Sequence, residues 1–185
     1  MKDNIVRKLS DVEHVRKKPG MYVGACQKEK LMRWTFDDHQ KLVFKEVEFT
    51  PALMKMFDEI ISNSIDEAIR TNFKKANDIR ITLKSDHVII VDNGGGIPVT
   101  PSIDDPSITQ ADLALTHLRS GTNFSSDETV SIGTHGLGAS LVNILSKKFI
   151  AWSDDGKKRQ HIRCVDQMRE IKGSLKEPFC SGVYV

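Results

Sequence analysis

Asp92-Asn93-Gly94-Gly95-Gly96-Ile97 and Gly133-Thr134-His135-Gly136-Leu137-Gly138 are the two stretches on which the reading of this chain turns. The first ends an apolar run from His87 to Val91. The second opens into another, Leu141-Val142-Asn143-Ile144-Leu145. Glycine tolerates positive φ and lets a ligand come close to the backbone. Unpaired amides at a helix N-terminus, aided by the helix dipole, suit a phosphate. Gly133, Gly136 and Gly138 fit G-x-x-G-x-G. No Gly-Lys-Ser/Thr follows, so this is not a Walker loop, and it matches the dinucleotide fingerprint poorly. A carboxylate placed like Asp92 can accept a hydrogen bond from an exocyclic amine such as that of adenine. Taken alone, Asp-Asn-Gly is more often a plain turn, and a glycine-rich loop is as often a flexible cap.

Upstream of both glycine turns lies the clearest helix, residues 51–71. Thr50 can cap it and Pro51 suits its first turn. Leu53, Phe57, Ile60, Ile61, Ser64, Ile65 and Ala68 recur at helical spacing and form the expected buried stripe. Glu59, Asn63, Asp66, Glu67 and Arg70 share an adjoining face, since residues three and four apart are neighbours. A Glu there can polarise an attacking water. An Asn amide oxygen can be one ligand of a Mg²⁺ that otherwise holds water and phosphate oxygens. Polar residues at this spacing are usually a solvated face. Here the strip adjoins an apolar helix and precedes both glycine turns. His135 can contact phosphate through its ring or simply pack in its loop.

The remaining elements follow from pattern. Ser10 with Glu13 three residues on reads as a capping box on a short helix, and Pro19-Gly20 breaks the chain. Residues 25–50 are mixed, with Val43, Val47 and Phe49 suggesting a short strand or extended arm. Residues 79–84 and 87–91 read as a hairpin across Ser85-Asp86. Residues 99–132 form a long connection with a helix near 109–119, expected to act as a lid. A second apolar helix covers 138–148. Strands are expected at 149–153, 160–165 and 181–185, with Asp154-Asp155-Gly156 as a turn.

Composition narrows the function classes. The chain has 185 residues and a net charge of +2, so bulk electrostatics does not announce nucleic-acid binding. No apolar run approaches the ~18 residues of a membrane span, and the N-terminus lacks a signal-peptide core. Cys26, Cys164 and Cys180 are odd in number and lack metal-ligand spacing, which fits reduced thiols in a cytoplasmic protein. The histidines form no ligand cluster. The basic run Arg16-Lys17-Lys18 could meet DNA phosphates or an acidic partner, although so short a run is usually solvated.

Four segments in order carry a resemblance. Val15-Arg16-Lys17-Lys18-Pro19-Gly20-Met21-Tyr22-Val23-Gly24 resembles the N-terminal signature of type IIA DNA topoisomerases, the family of the gyrase B subunit and topoisomerase IV. Phe57-Asp58-Glu59-Ile60-Ile61-Ser62-Asn63-Ser64-Ile65-Asp66-Glu67-Ala68 resembles their first ATP motif, and the two glycine turns resemble the second and third. The region from Gly24 through Phe57 is more similar to T-even-type phage and eukaryotic enzymes than to bacterial gyrase, and a phage origin is expected.

The resemblance implies an α+β fold, the GHKL (Bergerat) two-layer sandwich, with a mixed β-sheet and helices on one face. It implies ATP and Mg²⁺ as cofactors. By matching position, Glu59 would be the general base and Asn63 the Mg²⁺ ligand. Asp92 would contact the adenine amine, with Gly94, Gly96, Ile97 and Pro98 shaping the base pocket. Gly133, Thr134, His135, Gly136, Leu137 and Gly138 would cradle phosphates, with residues 120–132, including Asn123, in the ATP lid. Expected partners are ATP, other topoisomerase subunits, a DNA duplex through the complete enzyme, and a second copy in an ATP-dependent homodimer, with no membrane. The expected setting is the cytoplasm, that of the host for a phage protein.

Departures from the family pattern are specific. Many bacterial relatives carry Arg where this chain has Gly95, and that Arg pairs with the acid matching Glu67. Glu67 must therefore find another partner or sit in water. Asn123 replaces a common lid lysine, and Gly182-Val183 stands where a Gly-Thr pair reaches the base through water. Residues 1–185 read as one GHKL ATPase domain shortened at its C-terminal end. The transducer, whose lysine meets the γ-phosphate, and the cleavage domain are absent from it, so weak hydrolysis is expected in isolation. The alternative is a catalytically incomplete ATP-binding module that pairs with or inhibits a full topoisomerase subunit. A mismatch-repair ATPase, an Hsp90-type chaperone and a histidine kinase are disfavoured by the Arg16 to Gly24 signature.

Overall fold

The computed structural model describes residues 8–120 and 137–176. In chain order the elements are α1 (Asp11–Lys17), α2 (Gly20–Val23), β1 (Glu29–Phe36), β2 (Leu42–Phe49), α3 (Pro51–Arg70), β3 (Ile79–Leu83), β4 (Val88–Asp92), α4 (Gln110–Thr116), α5 (Gly138–Leu145), β5 (Lys148–Asp154), β6 (Arg159–Val165) and β7 (Glu170–Lys176). The described strands form three antiparallel ladders, β1-β2, β3-β4 and β5-β6-β7.

The core forms where α3, α4 and α5 pack on the inward faces of β4, β5 and β6. Ile60, Ile90, Ala111, Leu115, Val142, Phe149, Ala151, Ile162 and Cys164 are its buried members. β5 and β6 alternate buried with part-exposed residues, as a sheet covered on one face must. A second cluster seats α1 against α5 through Val15, Leu141 and Ile144. The expected capping box of Ser10 with Glu13 closes on α1, and the structure adds a second, Thr109 with Asp112, on α4.

Several expectations shift. Thr50 occupies the N-cap of α3, but its side chain makes no capping hydrogen bond. Leu53 lies exposed, and the buried residues of α3 are Ala52, Ile60, Ser64 and Ala68. The hard-to-assign region 25–50 is a full hairpin, with Glu29 opposite Phe49 and Phe36 opposite Leu42. The described part of the long connection, 99–120, is built into the core through Val99, Ala111, Leu115 and Thr116. α5 ends at Leu145, and β7 is an additional strand. The strand expected at 181–185 lies outside the described residues.

Arg16, in the basic run, turns inward. Its Nε donates to the Gln167 carbonyl at 2.9 Å, and Nη2 donates to the same oxygen. Cys26 is exposed and Cys164 buried, both as free thiols.

Candidate nucleotide site

Asp92 is the last residue of β4, so the strand end delivers its carboxylate beside α3. It is 8% exposed. Ser64 Oγ donates to its Oδ2 at 2.6 Å, and the Gly94 N–H donates to its Oδ1 at 2.8 Å. Both donors fix the carboxylate's orientation. A carboxylate offers about four acceptor positions, so these two bonds leave capacity for a further N–H. Ser64 is the one hydroxyl in the apolar stripe of α3. In the sequence its role is legible only as an anomaly among Ile60, Ile61 and Ile65.

The glycine turn is moulded around these groups. A Cβ on Gly94 would stand 2.6 Å from Asp92 Oδ1, closer than real Cβ contacts come. Gly96 adopts φ +67°, and a Cβ there would collide with the Asp154 carbonyl at the end of β5. The segment that follows is fastened to that strand end. The Ile97 N–H donates to Ser153 Oγ at 2.7 Å, and Ser153 Oγ donates back to the Ile97 carbonyl at 2.8 Å. The Val99 N–H donates to Asp155 Oδ2 at 2.9 Å. That amide is the largest cause holding the Asp155 carboxyl below the usual carboxylate range, followed by the amides of Lys158 and Lys157. Ile97 packs against the core, whereas Pro98 is exposed. Sequence reasoning does not reach Ser153 and Asp155, because their partners are distant along the chain.

Glu59 lies on α3, half-buried, with Lys55 one turn before it at 2.5 Å. Its carboxylate abuts Gly138, the first residue of α5; any side chain at 138 would overlap Glu59 Oε2. The acid thus faces the N-terminal turn of the helix that continues the second glycine stretch. Lys55 is a site residue that sequence reasoning misses, though its i,i+4 spacing to Glu59 is readable. Asn63, one turn further along α3, is exposed. Glu67 does find partners: Arg70 at 2.5 Å and the Gly95 N–H at 3.3 Å. Leu137 stands at the N-cap of α5, and its carbonyl accepts hydrogen bonds from Ser140 Oγ and the Leu141 N–H. Asn123, Gly133, Thr134, His135 and Gly136 lie outside the described residues, as does Gly182-Val183.

The arrangement therefore brings together Glu59, Asn63, Glu67, Asp92 and the Gly94–Gly96 turn along one side of α3, with Gly138 closing the far end. Among the described residues no group of three or more His, Cys, Asp or Glu could hold a metal. The exposed Asn63 amide is a hard-oxygen donor that fits a Mg²⁺ carried chiefly by phosphate and water oxygens.

Comparison with known proteins bears on the family and the fold. The family described as "Histidine kinase-, DNA gyrase B-, and HSP90-like ATPase" matches residues 50–166. The DNA topoisomerase large subunit of Enterobacteria phage T4 is 40% identical over 170 residues, covering 89% of this chain and 32% of that subunit. DNA topoisomerase 2 of Candida albicans is 34% identical over 145 residues, covering 77% of this chain and 10% of the enzyme. The chain thus spans a third or less of these relatives. Among solved structures, the ATPase region of Saccharomyces cerevisiae topoisomerase II superposes with a TM-score of 0.83 at 26% identity, covering 97% of this chain and 48% of that one. The ATPase and transducer domains of DNA topoisomerase II from Balamuthia mandrillaris give 0.83 at 27% identity, covering 96% and 47%. With an α+β fold, a buried carboxylate at the head of a glycine turn and these likenesses, the chain belongs to the histidine kinase-, DNA gyrase B- and HSP90-like (GHKL) ATPase family, in its type II DNA topoisomerase branch.

Proposed function

We propose that this chain binds ATP with Mg²⁺ and hydrolyses it as the ATPase domain of a type II DNA topoisomerase. The observation that carries the reading is the Asp92 carboxylate, nearly buried, oriented by Ser64 and Gly94, and retaining acceptor capacity. Such an acceptor selects a base that presents an N–H donor, as adenine's amine does. An unpaired acceptor in a sheltered site costs about 1–3 kcal/mol, so a base lacking that donor is rejected.

Phosphates extend along α3 toward the N-terminal turn of α5, where amides and the helix dipole favour negative charge. Glu59, beside that turn, accepts the proton of the attacking water. Lys55 pairs with its carboxylate and restricts the direction in which it points. Asn63 would help hold Mg²⁺, which when bound offsets phosphate charge. Gly133, Thr134, His135, Gly136 and Leu137 complete the phosphate cradle in this reading, and Asn123 belongs to the lid. In the complete enzyme, nucleotide-driven closure of two such domains would act on a DNA duplex, with the transducer and cleavage domains as further parts.

Calorimetric titration of the chain with a non-hydrolysable ATP analogue and Mg²⁺ tests the site. Saturable binding that disappears in Asp92→Ala is expected. Equal binding by the variant would overturn the assignment of Asp92 to the base.

A further inference from the structure

Gly95 has no backbone reason to be glycine: unlike Gly96, it does not occupy the positive-φ region. What fills its side-chain space is a cation from another part of the chain. From where a Gly95 Cβ would stand, Lys75 Nζ is 2.9 Å away, Glu67 Oε1 3.1 Å and Lys75 Cδ 3.3 Å. At the neighbouring Gly94, the corresponding point has Asp92 Oδ1 at 2.6 Å and Glu67 Cγ at 3.2 Å. Two acidic side chains thus flank the glycine turn, and the exposed Lys75 lies beside Gly95 with no ion pair to either acid within 4 Å, Glu67 being paired with Arg70.

The loop that carries Lys75 is held in place. The Lys75 N–H donates to Thr71 Oγ1 at 3.1 Å, and that hydroxyl lies 2.8 Å from the Glu67 carbonyl. The Phe73 N–H donates to the Ala68 carbonyl at 2.7 Å. Ala76 is buried, and its Cβ is 3.6 Å from where a Gly94 Cβ would stand. Asn93 ties the two turns together. Its Nδ2 donates to Asn77 Oδ1 at 2.7 Å, and its Oδ1 accepts the Asp78 N–H at 3.0 Å.

We propose that Lys75 is a positioning residue of the nucleotide pocket: its ammonium, beside Gly95 and near Glu67, adds to the positive charge that Arg70 sets against Glu67 and keeps the glycine turn in the shape that leaves Asp92 open to the base. This rests on the reading of Asp92 as the base acceptor. The charge is what matters, so it can be supplied from either side of the gap. Only the flexible tips of Lys75 and Glu67 oppose a side chain at 95. A lysine at that position can therefore replace Lys75 once residue 75 is apolar.

The test is titration of the full chain with the non-hydrolysable ATP analogue and Mg²⁺ in five forms: unaltered, Lys75→Met, Lys75→Arg, Lys75→Met with Gly95→Lys, and Asp92→Ala. An exposed charge interaction corresponds to about a 3- to 5-fold change in Kd. Lys75→Met is expected to weaken binding by that factor. Lys75→Arg and the double variant are expected to return within about 2-fold of the unaltered chain. A merely structural contact at 75 would not be restored by moving the charge to 95. The proposal is overturned by unchanged binding in Lys75→Met. It is equally overturned by a loss that persists in both Lys75→Arg and the double variant. If Asp92→Ala still abolishes binding in that case, the base pocket stands without Lys75. No binding by the unaltered chain overturns both.

Discussion

The candidate nucleotide site and the β1-β2 hairpin are both flanked by short polar turns, yet they are held in opposite ways. At the pocket, most groups are tied to residues far away in sequence: Ser64 to Asp92, Ile97 to Ser153, Val99 to Asp155. The hairpin's bonds run chiefly within itself, and its apolar side chains face outward. Met32, Trp34, Phe36, Leu42 and Phe44 share one face and are all more than half exposed, Trp34 at 66% and Phe36 at 67%. Local pairing holds the hairpin; long-range contacts hold the candidate site. Apolarity alone does not separate core from surface in this chain, whereas buried, bonded polar residues mark the candidate site.

The largest test of that contrast is Glu59→Gln. Steady-state hydrolysis should fall by about 10²–10⁴-fold while analogue binding persists. Hydrolysis within a few-fold of the unaltered chain would remove Glu59 as the base. Next is the core beneath the pocket. Phe149 is 3% exposed, and Phe149→Ala should cost about 3–5 kcal/mol in urea unfolding. Trp34→Ser in the hairpin should stay within about 0.5 kcal/mol in the same experiment. A cost near that of Phe149→Ala would mean the hairpin is covered, and the comparison would fail.

Two smaller effects sharpen it. Ser64→Ala removes a donor from a nearly buried carboxylate and should cost about 1–3 kcal/mol, with weaker analogue binding, read by unfolding and titration together. The Asp155 carboxyl is held below its ordinary value of about 3.9 in the fold. Its contribution is therefore complete above that value and is lost as pH falls through the lower folded value. Between about pH 5 and 2, unfolding measurements should show the unaltered chain losing stability relative to Asp155→Asn. Parallel curves for the two would show that the Val99 contact contributes nothing.

What is legible in the sequence follows the same division. The amphipathic α3, the β3-β4 hairpin, the capping box at Ser10, and the Asp92-to-Ile97 turn depend on neighbours in the chain, and local pattern reveals them. Leu53 reads as buried because helical period cannot tell which half of an apolar stripe meets the core. Ser64 looks like a small filler until β4 brings Asp92 to it. Lys55 is visible as an i,i+4 partner but has no evident purpose until Gly138 arrives beside Glu59. Glu67 lacks a partner on paper because Arg70 is a common surface neighbour and Gly95 offers only its backbone. β7 escapes notice because Gly173 interrupts its short strand-like run, and pairing with β6 supplies what propensity lacks.

The bond from Arg16 to the Gln167 carbonyl joins residues 151 positions apart. α1 has seven residues, fewer than the roughly 12–15 an isolated helix needs in water. Val15 is fully buried in a cluster with Leu141 and Ile144 of α5, on which Leu118 and Met168 also pack. During synthesis, then, the first described helix gains its burial and its bond to Gln167 only once residues 141–168 have been made. The segment 15–24 thus depends for its seating on a part of the chain that is translated much later.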